Sequence, residues 1–524
     1  MTRAPHASRL TPASLLTIAY VGGAMSMWGT LADTAWHRTN ARDSFWSAPH
    51  MFMYVGGLIV WAATVAAVVL ATRGRLPDAG GPVLHAGRLR LPFGFALSAL
   101  GVGVVVAAAP FDIWFHAVFG KDVMIWSPPH TTGHVGGMIA ASGLLFAAAA
   151  QRGRGVFRDA RLWMLAVLLP AVHFIHIAHY VLSHYVMTPA TRTPDFYPLL
   201  IAIMFPAVLV ALARAAGPLA PVFASLLFLA ALATVNLGLW LTGFARYTLT
   251  PVVAVPALAI AAIYFLARRA AARVWTAIAA GVAFTLIMVG VETWWMAAAV
   301  AHPWPASAVL RALPTTLLAG ALSGLGGWIW GGFLLAPRIE GGAAGIFGGR
   351  GRARVAAVTA VALFAVALVS VYRPQVFGPP MTTAEFALEP SSSFPVQEAV
   401  FWEAVLDEDW GHAPRLEVHS EGVIDGIPLP IGPAWCAADA ATLAREVAAL
   451  RFGMEVNGVA LDLARYPTVP QRLRDGRHCA WVGVVSRAQR ASRNRIVYSV
   501  TPADGAPATL RPIQVEMTVV FKDP

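Results

Sequence analysis

Long apolar runs of about twenty residues, separated by short polar stretches, fill the chain from Leu15 to Val371. A helix of that length crosses the roughly 30 Å hydrocarbon core of a bilayer. The pattern predicts about eleven such spans, near 11–32, 49–72, 92–110, 129–150, 161–186, 196–214, 219–244, 249–268, 273–299, 311–336 and 353–373. Beyond Arg373 the pattern changes. Asp407, Glu408 and Asp409 open a charged tail, the alternation from Ile513 to Phe521 predicts a strand, and Leu443, Val447 and Leu450 share one face of a helix expected over 439–450. Pro379, Pro380, Pro390 and Ser391 to Ser393 mark a linker. The expected architecture is an all-α polytopic membrane domain over 1–374, followed by an extracytoplasmic mixed α/β, strand-rich domain over 375–524.

Composition sharpens this reading. Of the 524 residues 57% are hydrophobic and only 12% charged, whereas soluble domains carry about a quarter charged residues. The formal charge of +11 does not point to nucleic acid, because the arginines cluster in alternate loops. Arg73, Arg75, Arg88 and Arg90 follow the second span; Arg152, Arg154, Arg158 and Arg161 the fourth; Arg268, Arg269 and Arg273 the eighth; and Arg338, Arg350, Arg352 and Arg354 the tenth. By the positive-inside pattern the N-terminus is cytoplasmic, with Arg3 and Arg9, and an odd span count puts the C-terminus outside. A multi-pass protein of a bacterial-type inner membrane, with its tail in the periplasm, is the expectation. Cys436 and Cys479, both in the tail, can form a disulfide in that oxidising compartment; unrelated thiols, or a metal site with His478, are the other readings.

One stretch occurs twice, over residues 33–57 and 112–137. Asp33, His37 and Asp43 recur 79 positions on as Asp112, His116 and Asp122, while Ser47, Pro49, His50 and the pair Gly56, Gly57 recur 80 positions on as Ser127, Pro129, His130, Gly136 and Gly137. One inserted residue ahead of the serine accounts for the change of offset. Both copies keep the same direction through the membrane, as in a duplicated binding unit or the internal repeats of transporters.

Each Asp and its first His are four residues apart and share a helix face if the preceding span continues that far. Ser47 and Ser127, followed by proline, suit the start of the next helix. The loop then folds back and brings His50 toward Asp33 and His37, and His130 toward Asp112 and His116. Two imidazoles and a carboxylate leave open positions on a metal, the set used for oxygen activation by iron; imidazole also suits copper and zinc. Asp43, Asp122 and Arg42 are expected to orient these ligands from behind. His134 lies one turn after His130, and the fifth span adds His173, His176, His179 and His184. At 100° per residue His173, His176 and His184 share one side, with His179 rotated away. His134, His173, His176 and His179 are therefore further candidate ligands, or members of a proton or ion path or of a neutral polar seam. Tyr180 and Tyr185 read as interfacial belt residues. Glu292, with His302 beyond it, is a late candidate. The alternative for all these groups is hydration and capping of helix ends.

Asp33, Trp36, His37, Thr39, Arg42, Asp43, Ser47, His50 and Tyr54 together resemble the metal-binding stretch of the C subunit of copper membrane monooxygenases, the particulate methane and ammonia monooxygenases. The resemblance covers residues 33–54. It implies a ligand role for Asp33, His37 and His50, copper as the metal, and oxygen-dependent hydroxylation of a small apolar or simple substrate. The sequence departs from that pattern at Ala48, Pro49, at Phe45 and Trp46, and in the extra residue before His130. The family divides its work among three subunits, and the tail here carries no cupredoxin-like ligand set, His412, His419 and His478 being scattered.

Three functions follow as expectations. The first is a membrane-embedded copper-dependent oxidoreductase needing an electron donor, for which the chain carries no nucleotide-binding glycine motif or haem attachment motif. The second is a transition-metal transporter or acquisition protein. The third is a noncatalytic metal-binding assembly protein that binds partner subunits through its tail. No catalytic residue beyond the candidate ligands is identifiable.

Overall fold

The computed structural model describes residues 10–37, 46–76, 79, 81–119, 128–181, 194, 196–242, 253–270, 273–298, 303–335, 379–392, 415–420, 429–472, 477–486, 492–507, 510 and 512–521. Among the described residues ten α-helices come first: α1 (Pro12–His37), α2 (Ala48–Thr72), α3 (Phe93–Phe119), α4 (Pro128–Ala150), α5 (Ala160–Val181), α6 (Tyr197–Ala216), α7 (Ala220–Leu241), α8 (Ala254–Leu266), α9 (Val274–Ala298) and α10 (Ala306–Leu335). A hairpin of β1 (Val83–Ala86) and β2 (Leu89–Pro92) links α2 to α3. Nine of the ten helices, all but α8, are long and apolar enough to cross a membrane, consistent with a multi-pass membrane protein. The span expected at 249–268 corresponds to the 13-residue α8; the one expected at 353–373 lies outside the described residues. The linker expected at Pro379, Pro380, Pro390 and Ser391 to Ser393 is corrected: residues 379–392 belong to the tail's fold, with Met381 and Phe386 buried in its core and Leu388–Pro390 paired with Val484–Ser486.

Large apolar side chains such as Leu58, Leu100, Val106, Trp240 and Leu310 lie on the outside of the bundle, where lipid rather than water is the apolar solvent. Inside, α5 packs against α1, α4, α6 and α7, so it occupies the centre of the half that contains the repeat. Helices α9 and α10 pack with α6 and with each other. Arg214, at the end of α6, lies over the ring of Trp328 on α10, 4.6 Å from its centre, and donates from its guanidinium to that residue's carbonyl.

The duplication extends to the way the helices cross. A Cβ on Gly22 of α1 would stand 2.6 Å from the carbonyl oxygen of Gly56 on α2; a Cβ on Gly101 of α3 would stand 2.6 Å from that of Gly136 on α4. Gly22 and Gly101 are 79 positions apart, and Gly56 and Gly136 are 80 apart, the offsets of the motif itself. Lipid supplies no hydrophobic force between apolar helices, so close backbone approach at small residues holds each pair together.

Among the described residues the tail is strand-rich, with one α-helix, α11 (Ala440–Ala448). Its strands are β3 (Leu388–Pro390), β4 (Arg415–Ser420), β5 (Leu429–Pro430), β6 (Ala434–Ala437), β7 (Leu450–Val456), β8 (Val459–Ala460), β9 (Thr468–Arg472), β10 (His478–Val482), β11 (Val484–Ser486), β12 (Ser492–Pro502) and β13 (Ile513–Phe521). They form a five-stranded sheet in the order β4-β13-β12-β7-β8, with only β13 and β4 parallel, and two three-stranded sheets, β6-β10-β9 and β3-β11-β5. Trp481, Phe386, Met454, Ile496 and Tyr498 fill its core, and the Tyr498 hydroxyl donates to the Ile431 carbonyl at 2.7 Å. Cys436 and Cys479 face each other across β6 and β10 and form the expected disulfide.

Candidate metal centre

Helix α1 continues through His37 and α3 through Phe119. Asp33 and His37 therefore stand one turn apart on the same helix, as do Asp112 and His116. Helix α2 then begins at Ala48, with His50 in its first turn, and α4 begins at Pro128, with His130 in its first turn. The end of each odd helix is thus set beside the start of its successor. The glycine crossings deeper in each pair fix that approach.

The carboxylate meets the second imidazole in both copies. His50 Nε2 lies 3.1 Å from Asp33 Oδ1; His130 Nε2 lies 3.5 Å from Asp112 Oδ1. The copies differ in burial: side-chain exposure is 15% for His50 and 10% for Asp33, against 37% and 31% for His130 and Asp112. Water screens the second pair more, so the first has the stronger electrostatic coupling. The His50 ring also stacks on Tyr54 one turn on, with centroids 5.8 Å apart. In the second copy the position equivalent to Tyr54 is His134.

The side chains of His37 and His116 lie outside the described residues, together with Asp43, Asp122, Arg42, Ser127, His184 and His302. Ser47 does occupy the N-cap of α2, but its hydroxyl accepts no capping bond from the helix. An N-cap oxygen takes its proton from the N–H of the second or third residue, and Pro49 in the second position has none to give. Glu292 is fully buried on α9, whose neighbours are α6, α8 and α10, and so belongs to the other half of the bundle.

The histidines of α5 divide as their angular spacing predicts. His173 and His176 stack with ring centroids 6.3 Å apart, and His173 Nδ1 faces α1 at Gly23, 3.8 Å from where a Cβ would stand. His179 turns to the edge of Phe228 on α7, 5.2 Å away. Tyr180 corrects the interfacial-belt expectation. It is only 8% exposed and lies between helices, 5.2 Å from the ring of His134 on α4 and 6.3 Å from that of His176. Its place four residues after His176 was the sequence signal for this role. Among the described residues no three His, Cys, Asp or Glu side chains gather closely enough to hold a metal ion. His134, Tyr180, His176 and His173 thus form a file, with His179 turned away from it, and the four histidines share no common coordination sphere.

Within each pair the carboxylate oxygen and imidazole nitrogen stand at the spacing of neighbouring ligands on one metal ion. Adjacent ligands on a metal with bonds of about 2.0–2.2 Å stand roughly 3.0–3.6 Å apart, the range that contains both Asp–His separations. His37 and His116, one helical turn from Asp33 and Asp112, are placed in sequence to add the third donor. The same separation also serves an imidazole–carboxylate ion pair. No family model, characterised protein or solved structure matches the chain.

Proposed function

We propose that the chain is a membrane-embedded, copper-dependent oxidoreductase that activates oxygen at Asp/His/His centres, as the copper membrane monooxygenases it resembles over residues 33–54 do. The observation that carries this reading is the repeated approach of His50 to Asp33 and of His130 to Asp112. One such pair is an ordinary helix-end contact; two at matching positions of a duplicated helix pair indicate a built site. Asp33, His37 and His50 would hold one metal, and Asp112, His116 and His130 another. Bound copper supplies one-electron chemistry toward oxygen. The chain's own residues fix the donor geometry, keep the first site drier than the second, and offer apolar helix walls to a small apolar substrate. An electron donor or partner subunit completes the reaction.

The arginine-rich loops and the disulfide support a cytoplasmic N-terminus and a periplasmic tail in a bacterial-type inner membrane. A second reading, a copper or other transition-metal transporter, draws on the repeat itself, since parallel duplicated helix pairs are a transporter device.

Metal analysis and electron paramagnetic resonance on protein purified in lipid test the site. Loss of copper in His37→Ala and in His116→Ala supports it, and full retention by the double variant overturns it. Oxygen consumption by reduced, copper-loaded protein distinguishes the enzyme, whereas copper flux into proteoliposomes without oxygen consumption selects the transporter.

A further inference from the structure

The second repeat departs from the first where Tyr54 is replaced by His134, and from that point a file of proton-bearing side chains leads into the bundle. His134 contacts Tyr180, Tyr180 is followed by His176, and His176 by His173, with successive ring centroids 5.2, 6.3 and 6.3 Å apart. His134 is one turn below His130 and so begins about 6 Å inward of the Asp112–His130 pair. His173 lies about 12 Å below the end of α5 at Val181. The file spans two helices and ends against α1 at Gly23.

His176 is 1% exposed, and among the described residues neither of its ring nitrogens has a hydrogen-bond partner; nor does Nε2 of His134. A buried polar atom left without a hydrogen bond is destabilising, and proteins normally satisfy such groups with ordered water. The competing occupant is a cation. Three converging imidazoles can hold a metal ion, but among the described residues no three His, Cys, Asp or Glu side chains gather here. The carboxylates of this region, Asp33 and Asp112, stand beside His50 and His130 instead. The remaining histidine of α5, His179, is turned to Phe228 of α7, Arg161 lies at the helix's opposite end, and α1 presents Gly23.

We propose that His134, Tyr180, His176 and His173, bridged by water, form a proton relay between the Asp112–His130 pair and the interior of the bundle. Each imidazole accepts a proton on one nitrogen and releases the proton on the other, and the Tyr180 hydroxyl accepts and donates one in the same way. One proton enters the file for each that leaves, and no ring remains charged. The relay stands whether or not the outer pairs bind metal.

Solid-state nitrogen NMR on the full chain, histidine-labelled and reconstituted in lipid, tests this. The His176 resonance is assigned by its disappearance in His176→Gln. The expected result is exchange of the His176 ring N–H with D₂O in the wild type, slowed by about tenfold or more in His134→Phe and in Tyr180→Phe, the latter removing a single oxygen. A His176 N–H that resists exchange in the wild type, or exchanges at the wild-type rate in both variants, overturns the relay. So does a His176 resonance displaced by chelator treatment, which would make the occupant a metal.

Discussion

His50 places Nε2 3.1 Å from Oδ1 of Asp33, joining the start of α2 to the end of α1. If this contact exists to hold a metal, Asp33→Asn keeps the shape and loses the charge. A neutral amide oxygen is a poorer ligand for copper than a carboxylate. Copper affinity measured by competition with a chelator is expected to fall at least about tenfold, since even partners behind the ligands change affinity by roughly 10–100-fold. Asp112→Asn, in the more exposed pair, is expected to lose less. Unchanged affinity in the Asp33→Asn, Asp112→Asn double variant would mark the two contacts as ion pairs only.

The disulfide joins positions 43 residues apart. Closing a loop of that length removes chain entropy from the unfolded state worth about 4 kcal/mol at 25 °C in the loop-closure treatment. Cys436→Ser is expected to lower the tail's denaturant midpoint, with a loss of up to about that size. Cys479→Ser should have the same effect and the double variant no more than either. Additive losses from the two single substitutions would place the stabilisation in side-chain packing.

The pairing of His50 with Asp33 was legible because a short loop after a helix end must return the chain to the same level, and the repeat showed that the spacing was not accidental. The strand at β13 was legible from alternation, and α11 from the spacing of Leu443 and Val447, but the helix expected to reach Leu450 ends at Ala448 and Leu450 begins β7. Other features needed coordinates. Tyr180 reads as a belt residue because its depth is near the helix end, but orientation, which depends on how α5 packs against α4, decides its role. The chain has 46 glycines, so Gly22 and Gly101 attract no notice until the repeat offset is applied to them. Capping by Ser47 failed as an expectation because Pro49 removes one of the two N–H groups the hydroxyl needs.

Asp439 caps α11, its carboxylate accepting from the Thr442 backbone N–H at 2.9 Å and from the Thr442 hydroxyl at 2.8 Å. The backbone hydrogen bond from Thr442, with the hydroxyl's added, holds its carboxyl below the usual carboxylate value. A depressed value in the fold means that the cap stabilises fully above the unfolded aspartate pKa of about 3.9 and is lost as pH falls through the lower folded value. Asp439→Ala is therefore expected to lower the tail's thermal midpoint at pH 7, with the gap to wild type closing in strong acid. A gap that persists unchanged after the carboxyl is protonated would contradict the capping account.

The matched crossings at Gly22 and Gly101 carry the most direct test of the duplication as a physical unit. Each position faces a carbonyl oxygen of the partner helix at a separation no real Cβ adopts, so Gly22→Ala and Gly101→Ala must push α1 from α2 and α3 from α4. Forcing atoms into a filled interface costs about 1–3 kcal/mol, which outweighs the roughly 0.5–1 kcal/mol that alanine gains over glycine in a helix. Gly103 lies two residues from Gly101 on the same helix with nothing within 4 Å of its notional Cβ, so Gly103→Ala is expected to be neutral or stabilising. Thermal unfolding in a fixed detergent or lipid mixture should show losses at the first two positions and none at the third. Because the crossing sets the distance between helix ends, copper affinity should fall selectively, the Asp33–His50 site responding to Gly22→Ala and the Asp112–His130 site to Gly101→Ala. Equal stability for all three variants would remove the close crossings as the source of the repeat's geometry.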